Sequence, residues 1–160
     1  MTAGNNLGAF VAEFAAQVRD NTGITITVAT AGTPQRLQGA LFVQAKNTLP
    51  GAFVWAPATG ELTITTPMAA GIYDIEFVPG DTQGTNAGVK ILRIGKNGTG
   101  VGAISRDLEP AAAARSSMAS AVAAGVSLAV GDKVSVLVDV GTNNHVVAVR
   151  DGTLRLRRVG

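Results

Sequence analysis

The chain has 160 residues, of which 46% are hydrophobic, 15% are charged and 4% are aromatic, with a formal net charge of +2. This length suits one domain with a real core, and the low charge excludes an intrinsically disordered chain. The chain has no cysteine, which excludes disulfides and thiolate metal sites.

The charge pattern and the apolar runs also limit the partners. Basic residues are scattered until Arg150, Arg155, Arg157 and Arg158, which do not make the broad basic face that is typical of nucleic-acid binding. No segment resembles a secretion signal, and no apolar run is long enough to span a bilayer. We therefore expect a soluble protein made in the cytoplasm, with neither nucleic acid nor a membrane as partner.

Residues 1–23 differ in pattern from the rest of the chain. Their apolar side chains recur at the spacing of a short helix, namely Leu7, Phe10, Val11, Phe14 and Val18. Asn5 or Asn6 is suited to cap its start, and 20–23 to end it. A helix of this length needs a partner for its apolar stripe. Two partners stay open: the helix packs on its own domain, or it is an anchor that docks on a neighbouring subunit or another protein.

From Ile24 onward, apolar and polar residues alternate with the period of a β-strand. The central stretch 60–79 contains two such runs, 61–65 and 73–77, joined by a corner with Pro67 and Gly71. Further strands are predicted over 24–29, 37–44, 52–56, 89–94, 101–105, 133–140, 146–150 and 153–159, with a polar loop over 80–86. Many short strands with little helix between them predict an all-β sandwich or barrel.

Three local patterns have competing interpretations. The Ala-rich residues 111–124 have helix propensity, but 116–128 lacks a charged face, so we predict a loop followed by a strand. Residues 95–100 superficially resemble a phosphate-binding loop, but their spacing is wrong and the Asn97-Gly98 pair predicts a tight hairpin. In the last strand, Arg155 and Arg157 would face outward, either to solvent or to an acidic partner.

We find no constellation that predicts an enzyme or a cofactor. His145 is the only histidine, and it is interpreted as a loop residue without a catalytic or zinc-binding role. Asp74 and Glu76, with Asp81 in the next loop, have the chemistry of calcium ligands, but a solvated strand face is the simpler interpretation.

Four motifs in order carry a resemblance to a known family. They are Gly60-Glu-Leu-Thr-Ile64, Gly71-Ile-Tyr-Asp-Ile-Glu-Phe77, Leu92-Arg-Ile-Gly-Lys-Asn-Gly98 and Leu128-Ala-Val-Gly-Asp-Lys-Val134. This series resembles the jelly roll of the complement globular head and tumour necrosis factor superfamily. Gly71 and Tyr73 match the family's Gly-x-Tyr-x-Phe strand, with Ile75 in the place of Phe, and Leu128, Gly131, Asp132 and Val134 match its Leu-x-x-Gly-Asp-x-Val strand.

The resemblance implies an antiparallel jelly-roll domain over 24–160, preceded by the helical arm 1–23, and a homotrimer with an apolar axis. It places Tyr73, Phe77, Val134 and Val136 in the trimer core or interface. The chain lacks the family's collagen repeats, its cysteines and the aromatic end of its last strand. These departures favour the versions of the fold that bacteriophage particles carry over an extracellular signalling protein.

The sequence therefore predicts a virion structural protein, made in the host cytoplasm, that binds the major capsid protein or other virion proteins and stabilises the shell as a trimeric decoration. The alternative is a receptor- or glycan-binding tip of a tail fibre or spike. A tip usually sits on a long shaft, and only one short helix is predicted before the jelly roll, which favours decoration.

Overall fold

The structure, a computed structural model, describes residues 12–19, 23–84, 88–109 and 115–160, and these residues are almost entirely extended. The strands are β1 (Glu13–Val18), β2 (Ile24–Val28), β3 (Gln35–Arg36), β4 (Phe42–Asn47), β5 (Phe53–Ala56), β6 (Glu61–Ile64), β7 (Gly71–Val78), β8 (Asp81–Gly84), β9 (Gly88–Lys96), β10 (Thr99–Glu109), β11 (Arg115–Ser116), β12 (Ala121–Leu128), β13 (Lys133–Val140), β14 (His145–Arg150) and β15 (Thr153–Arg158). A short 3₁₀ turn, Pro67–Ala69, precedes β7. The all-β prediction is confirmed.

The strands form two layers that are continuous at one corner. One layer has the order β4-β1-β15-β7-β12, and the other has the order β10-β9-β13-β6-β5 with β3 on β13. Strand β10 joins the layers, because it pairs with β9 along its length and with β12 through Ala103 and Val122. A small sheet, β11-β8-β14-β2, shares the same core. All the strand pairs are antiparallel, as expected for a jelly roll.

The core lies between the layers because each strand points alternate side chains inward. On β7, Tyr73, Ile75 and Phe77 are fully buried, whereas Asp74 lies on the other side and is exposed. The predicted inward faces of β13 and β15 are confirmed: Val134, Val136 and Val138 are buried in the former, and Leu154 and Leu156 in the latter.

Aromatic rings connect the two layers across the core. Phe14 of β1 and Tyr73 of β7 lie on one layer, and each packs edge-on against Phe53 of β5 on the other, with ring centroids 6.1 and 6.0 Å apart. Trp55 packs on Phe14 and Phe42, and its indole N–H donates to the Phe42 carbonyl at 2.8 Å. Edge-to-face pairs of this kind add about 0.5–1.5 kcal/mol each beyond their area burial.

The predicted N-terminal helix is wrong where the structure describes it. Glu13–Val18 is a strand that pairs with β15 on one side and β4 on the other. Phe14 and Val18 are four residues apart, a spacing that fits a helix but also fits one face of a strand. Ala12 and Ala16 complete that buried face. Leu7, Phe10 and Val11 lie outside the described residues.

Several other boundaries are settled by pairing. The predicted loop over 80–86 contains β8, which lies between β11 and β14. The strand predicted over 37–44 is instead β4, Phe42–Asn47, which begins five residues later and ends three residues later than predicted. The strand predicted at the end of the Ala-rich region is confirmed by β12, whereas residues 110–114 lie outside the described residues. The predicted hairpin is also confirmed, because Asn97 and Gly98 have φ values of 51° and 80°.

His145 is not a loop residue, as the sequence interpretation had it. It begins β14 and is fully buried, with its Nδ1 3.3 Å from the Thr142 hydroxyl. The described ranges contain no helix that is long and apolar enough to cross a membrane.

Candidate interaction surface

The layer formed by β1, β15, β7 and β12 has one face in the core and one face without a cover in the described chain. We call the second face the outer face. Its central residues are Glu13, Ala15, Asp74, Glu76, Val122, Ala124, Arg155 and Arg157. An alternating pattern with apolar residues inward places them here, because neighbours of buried residues must point the opposite way.

Strand register aligns these side chains in two rows across the sheet. In one row, Arg155 lies between Ala15 of β1 and Glu76 of β7. Val122 of β12 lies next to Glu76 and ends this row. In the other row, Arg157 lies between Glu13 and Asp74. Residues directly opposite each other in an antiparallel pair have Cβ atoms about 4.5–5.5 Å apart, so each arginine has a carboxylate within reach on a neighbouring strand.

The outer face has a groove beside the arginine strand. The groove has a volume of about 450 Å³ and is lined by Asp74, Ile75, Glu76, Val122, Ala124, Arg155 and Arg157. A smaller depression of about 210 Å³ lies on the β1 side of the same arginines and includes Ala15 and Lys46. The small side chains Ala15 and Ala124 leave this space, while Arg155 and Arg157 form the wall between the two depressions.

The charges of the outer face are only partly paired within the chain. Lys46 of β4 forms an ion pair with Glu13, and this hydrogen bond, with the charges of Lys46 and Arg157, lowers the pKa of the Glu13 carboxyl against the opposing effect of burial. Asp74 accepts a hydrogen bond from the Gly125 N–H at 3.0 Å. Three charged side chains of the outer face have no ion-pair partner within 4.0 Å in the described chain, namely Arg155, Arg157 and Glu76.

The predicted interface residues do not lie on this face. Tyr73, Phe77, Val134 and Val136 are all fully buried within a single copy of the chain. They complete the core of that copy, so they have no surface to offer to a second copy. Among the predicted anchor residues, Phe14 and Val18 are likewise core residues. The sequence left open whether Tyr73, Phe77, Val134 and Val136 belong to the core or to the interface, and their burial places them in the core of a single copy.

The outer face contains residues that the sequence did not indicate. Glu13 and Ala15 fall where a helix was predicted, and Lys46 lies beyond the end of the strand predicted over 37–44. Val122 and Ala124 lie in a run without obvious polarity. The predicted outward positions of Arg155 and Arg157 are confirmed. The alternation within β7 and β15 was the usable signal, because it placed Asp74, Glu76 and the two arginines outward. The neighbours of each strand come from distant parts of the sequence.

The groups considered for calcium do not converge. Asp74 and Glu76 are on the outer face, whereas Asp81 is on β8 of the small sheet, where its carboxylate lies 3.8 Å from Arg150. Among the described residues, no three histidine or acidic side chains are grouped as a metal site. Asp74 and Glu76 instead line the groove together with Arg155 and Arg157.

Comparison with known proteins gives a likeness of fold. No family model matches the chain, and no curated protein matches it. Among solved structures, the globular domain of a zebrafish complement 1qA protein is 16% identical with a TM-score of 0.56, covering 93% of this chain and 98% of that one. The Eiger TNF of S. frugiperda is 13% identical with a TM-score of 0.57, covering 94% and 92%. Murine APRIL is 11% identical with a TM-score of 0.50, covering 93% and 99%.

These neighbours assign the class of the domain. The chain has the jelly-roll fold of complement C1q globular domains and tumour-necrosis-factor-like proteins, as the order of its motifs predicted. At these identities the likeness concerns fold, and function must be argued from the surface itself.

Proposed function

We propose that this chain is a structural protein of a bacteriophage particle, which assembles as a homotrimer through the outer face and decorates the capsid. The observation that carries the proposal is the outer face. It is a broad sheet surface with a groove and with charges that the chain itself leaves partly unpaired. The trimeric state follows the family resemblance, whose members are typically homotrimers.

Charge balance supports association with further copies of the same chain. Acidic Glu13, Asp74 and Glu76 alternate with basic Lys46, Arg155 and Arg157 on the outer face. A surface with equal numbers of both signs can pair its charges with those of another copy, whereas a face of one sign would repel a patch of the same sign. Arginine is also enriched at protein interfaces, because its planar guanidinium forms bidentate pairs and packs on apolar groups.

The capsid role is supported by what the chain offers and by its composition. A Gly-rich chain of low charge, without cysteine, suits a compact module made in the cytoplasm. Decoration needs complementary surfaces and no chemistry. A module that binds only the assembled shell stabilises that shell by mass action.

The oligomeric state is tested by sedimentation velocity on the intact protein and on two variants. Val122→Arg places a third positive, bulky side chain in the groove, next to Glu76 and across β7 from Arg155, and we expect it to convert trimer to monomer. Thr27→Arg is the matched control, because Thr27 is also an exposed β-branched residue but lies on β2 of the small sheet. A monomeric parent protein would contradict the trimer proposal, and loss of the trimer in both variants would contradict assembly through the outer face.

The location is tested by immunogold labelling of purified particles with antibodies against the protein. Labelling of the shell is the expected result. Labelling of the tail would favour the alternative, a receptor- or glycan-binding tip. Unlabelled particles would overturn both virion roles.

The anchor hypothesis is tested by a deletion that is shorter than the predicted arm 1–23. Removing residues 1–23 would delete β1, which is the central partner of β15 and β4. Removing residues 1–11 leaves β1 intact and still deletes Leu7, Phe10 and Val11. We expect this deletion to abolish particle binding with unchanged circular dichroism, and unchanged binding would exclude the anchor.

A further inference from the structure

Strand β10 carries an exposed apolar ridge at the corner where the two layers join. The ridge consists of Ile104, Arg106 and Leu108, and the side chains of Ile104 and Leu108 are 39% and 67% exposed. Outward positions of a solvent-facing strand are normally polar, so two large aliphatic side chains around one arginine are unusual there.

The ridge alternates with inward residues, and a bulge precedes it. Ser105 is buried, so Ile104, Arg106 and Leu108 fall on the opposite side of the strand. Between the pairs Val101–Ile94 and Ser105–Leu92, β10 has three residues where β9 has one, so the register shifts there. Gly102 takes a φ of +72° in the bulge. Beyond the bulge, the strand has Asp107 on its inner side, 3.6 Å from the buried Lys90, so Arg106 is the ridge's exposed charge.

Ridge and groove adjoin each other around the corner on the same chain. Ala103, which precedes the ridge, pairs with Val122 at the edge of the groove. The ridge then runs away from the groove along β10, on the far side of the corner. It therefore cannot fill the groove of its own chain, but a rotation can bring it to the groove of another copy.

We infer that the ridge of one copy inserts into the groove of the next copy around the threefold axis, with Arg106 contacting Glu76 and Asp74. The inference rests on the proposed homotrimer and specifies its contact. A cyclic trimer needs a heterologous interface, in which two different patches of one chain meet head to tail. The groove and the ridge are two such patches. They lie next to each other on the chain, because Ala103 before the ridge pairs with Val122 at the edge of the groove.

The chemistry of the two patches is complementary. Ile104 and Leu108 present apolar surface, and Val122 and Ala124 line one side of the groove. On the other side, the groove is lined by the β7 carboxylates of Asp74 and Glu76, and Glu76 has no ion-pair partner within 4.0 Å in the described chain. Arg155 and Arg157 would repel Arg106 of the neighbouring copy wherever no carboxylate lies close to it. The contact between Arg106 and Glu76 therefore fixes the register in which the two copies meet.

The lack of native cysteine allows a direct test by disulfide trapping. Two single variants, Leu108→Cys and Val122→Cys, are mixed, allowed to exchange subunits and oxidised mildly. A disulfide needs Cα atoms within about 7 Å, and only chains of different kinds can form the mixed bond. The double variant cannot close within one chain, because Leu108 lies five residues beyond the partner of Val122, or about 16 Å along the strand.

We expect mixed dimers from the single variants, and covalent dimers and trimers from the double variant on a non-reducing gel. In the control, Thr27→Cys is mixed with Val122→Cys in place of Leu108→Cys, and this mixture should give no mixed disulfide. Trimers in sedimentation without ridge-to-groove disulfides, or efficient Val122→Cys homodimers, would overturn the inference and leave the trimer proposal standing. A monomeric protein would overturn both.

Charge exchange provides the second measurement. Arg106→Glu and Glu76→Arg should each weaken trimer formation by at least about tenfold, and the combined variant should recover most of the loss. Equal losses from the single variants without recovery in the combination would contradict the contact between these two side chains.

Discussion

Asn97 and Asp132 hold two hairpin turns together at one end of the sandwich. The Asn97 side-chain amide donates to Oδ1 of Asp132 at 2.7 Å, and the Asn97 carbonyl oxygen of the same side chain accepts from the Lys133 N–H at 2.8 Å. Asp132 also accepts from the Ala129 N–H and forms an ion pair with Lys96 at 2.9 Å. The β9–β10 turn is thereby fixed to the β12–β13 turn. The aspartate of the Gly131-Asp132 motif therefore has a structural role in joining the two turns.

Removing the Asn97 side chain should destabilise the fold by about 1 kcal/mol, because two hydrogen bonds between the turns are lost at a partly exposed site. Asn97→Gly is the suitable variant, since Asn97 has a φ of 51° that glycine adopts without strain. Urea unfolding at fixed protein concentration measures the change. Asn144→Gly is the control, because Asn144 has a φ of 55° in another turn and should lose at most a few tenths of a kcal/mol. Equal losses would show that the contact between the turns adds nothing.

The pH dependence of stability should contain a contribution from Asp132. Burial opposes its ionisation, but the hydrogen bonds from Ala129 and Asn97 and the ion pair with Lys96 together lower its pKa below the ordinary value of 3.8. A carboxyl whose pKa is lowered by folding stabilises the protein above its unfolded pKa, and this stabilisation is lost as the pH falls through the folded pKa.

We therefore expect the free energy of unfolding to fall on acidification below about pH 5, with a shallower fall in Asp132→Asn than in the parent protein. Urea titrations at a series of pH values from 6 to 3 provide the measurement. Identical pH profiles for the two proteins would contradict a lowered pKa at Asp132.

Phe14 should behave as a core residue. Phe14→Ala removes a ring that is 1% exposed and lies 6.1 and 5.7 Å from the rings of Phe53 and Trp55. The expected loss is about 3–5 kcal/mol of unfolding free energy, measured by chemical denaturation. Gln17→Ala on the outward side of the same strand is the control and should cost well under 1 kcal/mol. A small effect of Phe14→Ala would revive its role as an anchor residue.

Phe14 also illustrates how far the sequence could predict the fold. Alternation is unambiguous in β7 and β13, where β-branched and aromatic residues favour strands, and those elements were predicted correctly. In β1 the inward residues between Ala12 and Val18 include small alanines, so the visible apolar spacing of four suited either structure. The groove required knowledge of which strands are neighbours, and strand order depends on long-range packing that no local pattern encodes.

The Tyr73 hydroxyl should contribute through one buried hydrogen bond. It donates to the Ala69 carbonyl at 2.7 Å, just before the start of its own strand. Tyr73→Phe leaves this carbonyl without that donor, so we expect a loss of about 1–2 kcal/mol in the unfolding free energy. Phe77→Leu, a change in the same buried face without a hydrogen bond, is the control for altered packing.

Tyr73 should also respond to alkaline pH. Burial raises its pKa above 10.0, with the charge of Arg158 opposing the effect. A group whose pKa is raised by folding stabilises the protein fully below its unfolded pKa, and the contribution is lost as the pH rises through the folded pKa. Because Tyr73 is the only tyrosine, absorbance of the phenolate reports on it directly. Ionisation near pH 10 in the folded protein would contradict its burial.

The bulge glycine Gly102 should be essential to the corner that presents the ridge. A Cβ at this position would lie 2.4 Å from the Val122 carbonyl oxygen and 2.5 Å from the Ala123 Cα, and both are backbone atoms that cannot move alone. Its φ of +72° is also unfavourable for other residues. Gly125→Ala is the matched control, since Gly125 has a φ of +64° with no atom within 4 Å of the added carbon.

The control should therefore lose about 1 kcal/mol from backbone strain alone, and Gly102→Ala should lose at least about 1–3 kcal/mol more from overlap. Since the overlap separates β10 from β12, the ridge shifts relative to the groove. We expect Gly102→Ala to weaken the trimer under conditions where the fold is retained, as measured by sedimentation alongside circular dichroism. Equal losses of stability in the two variants would show that the close contact between β10 and β12 is not required, because strain would then account for the whole effect.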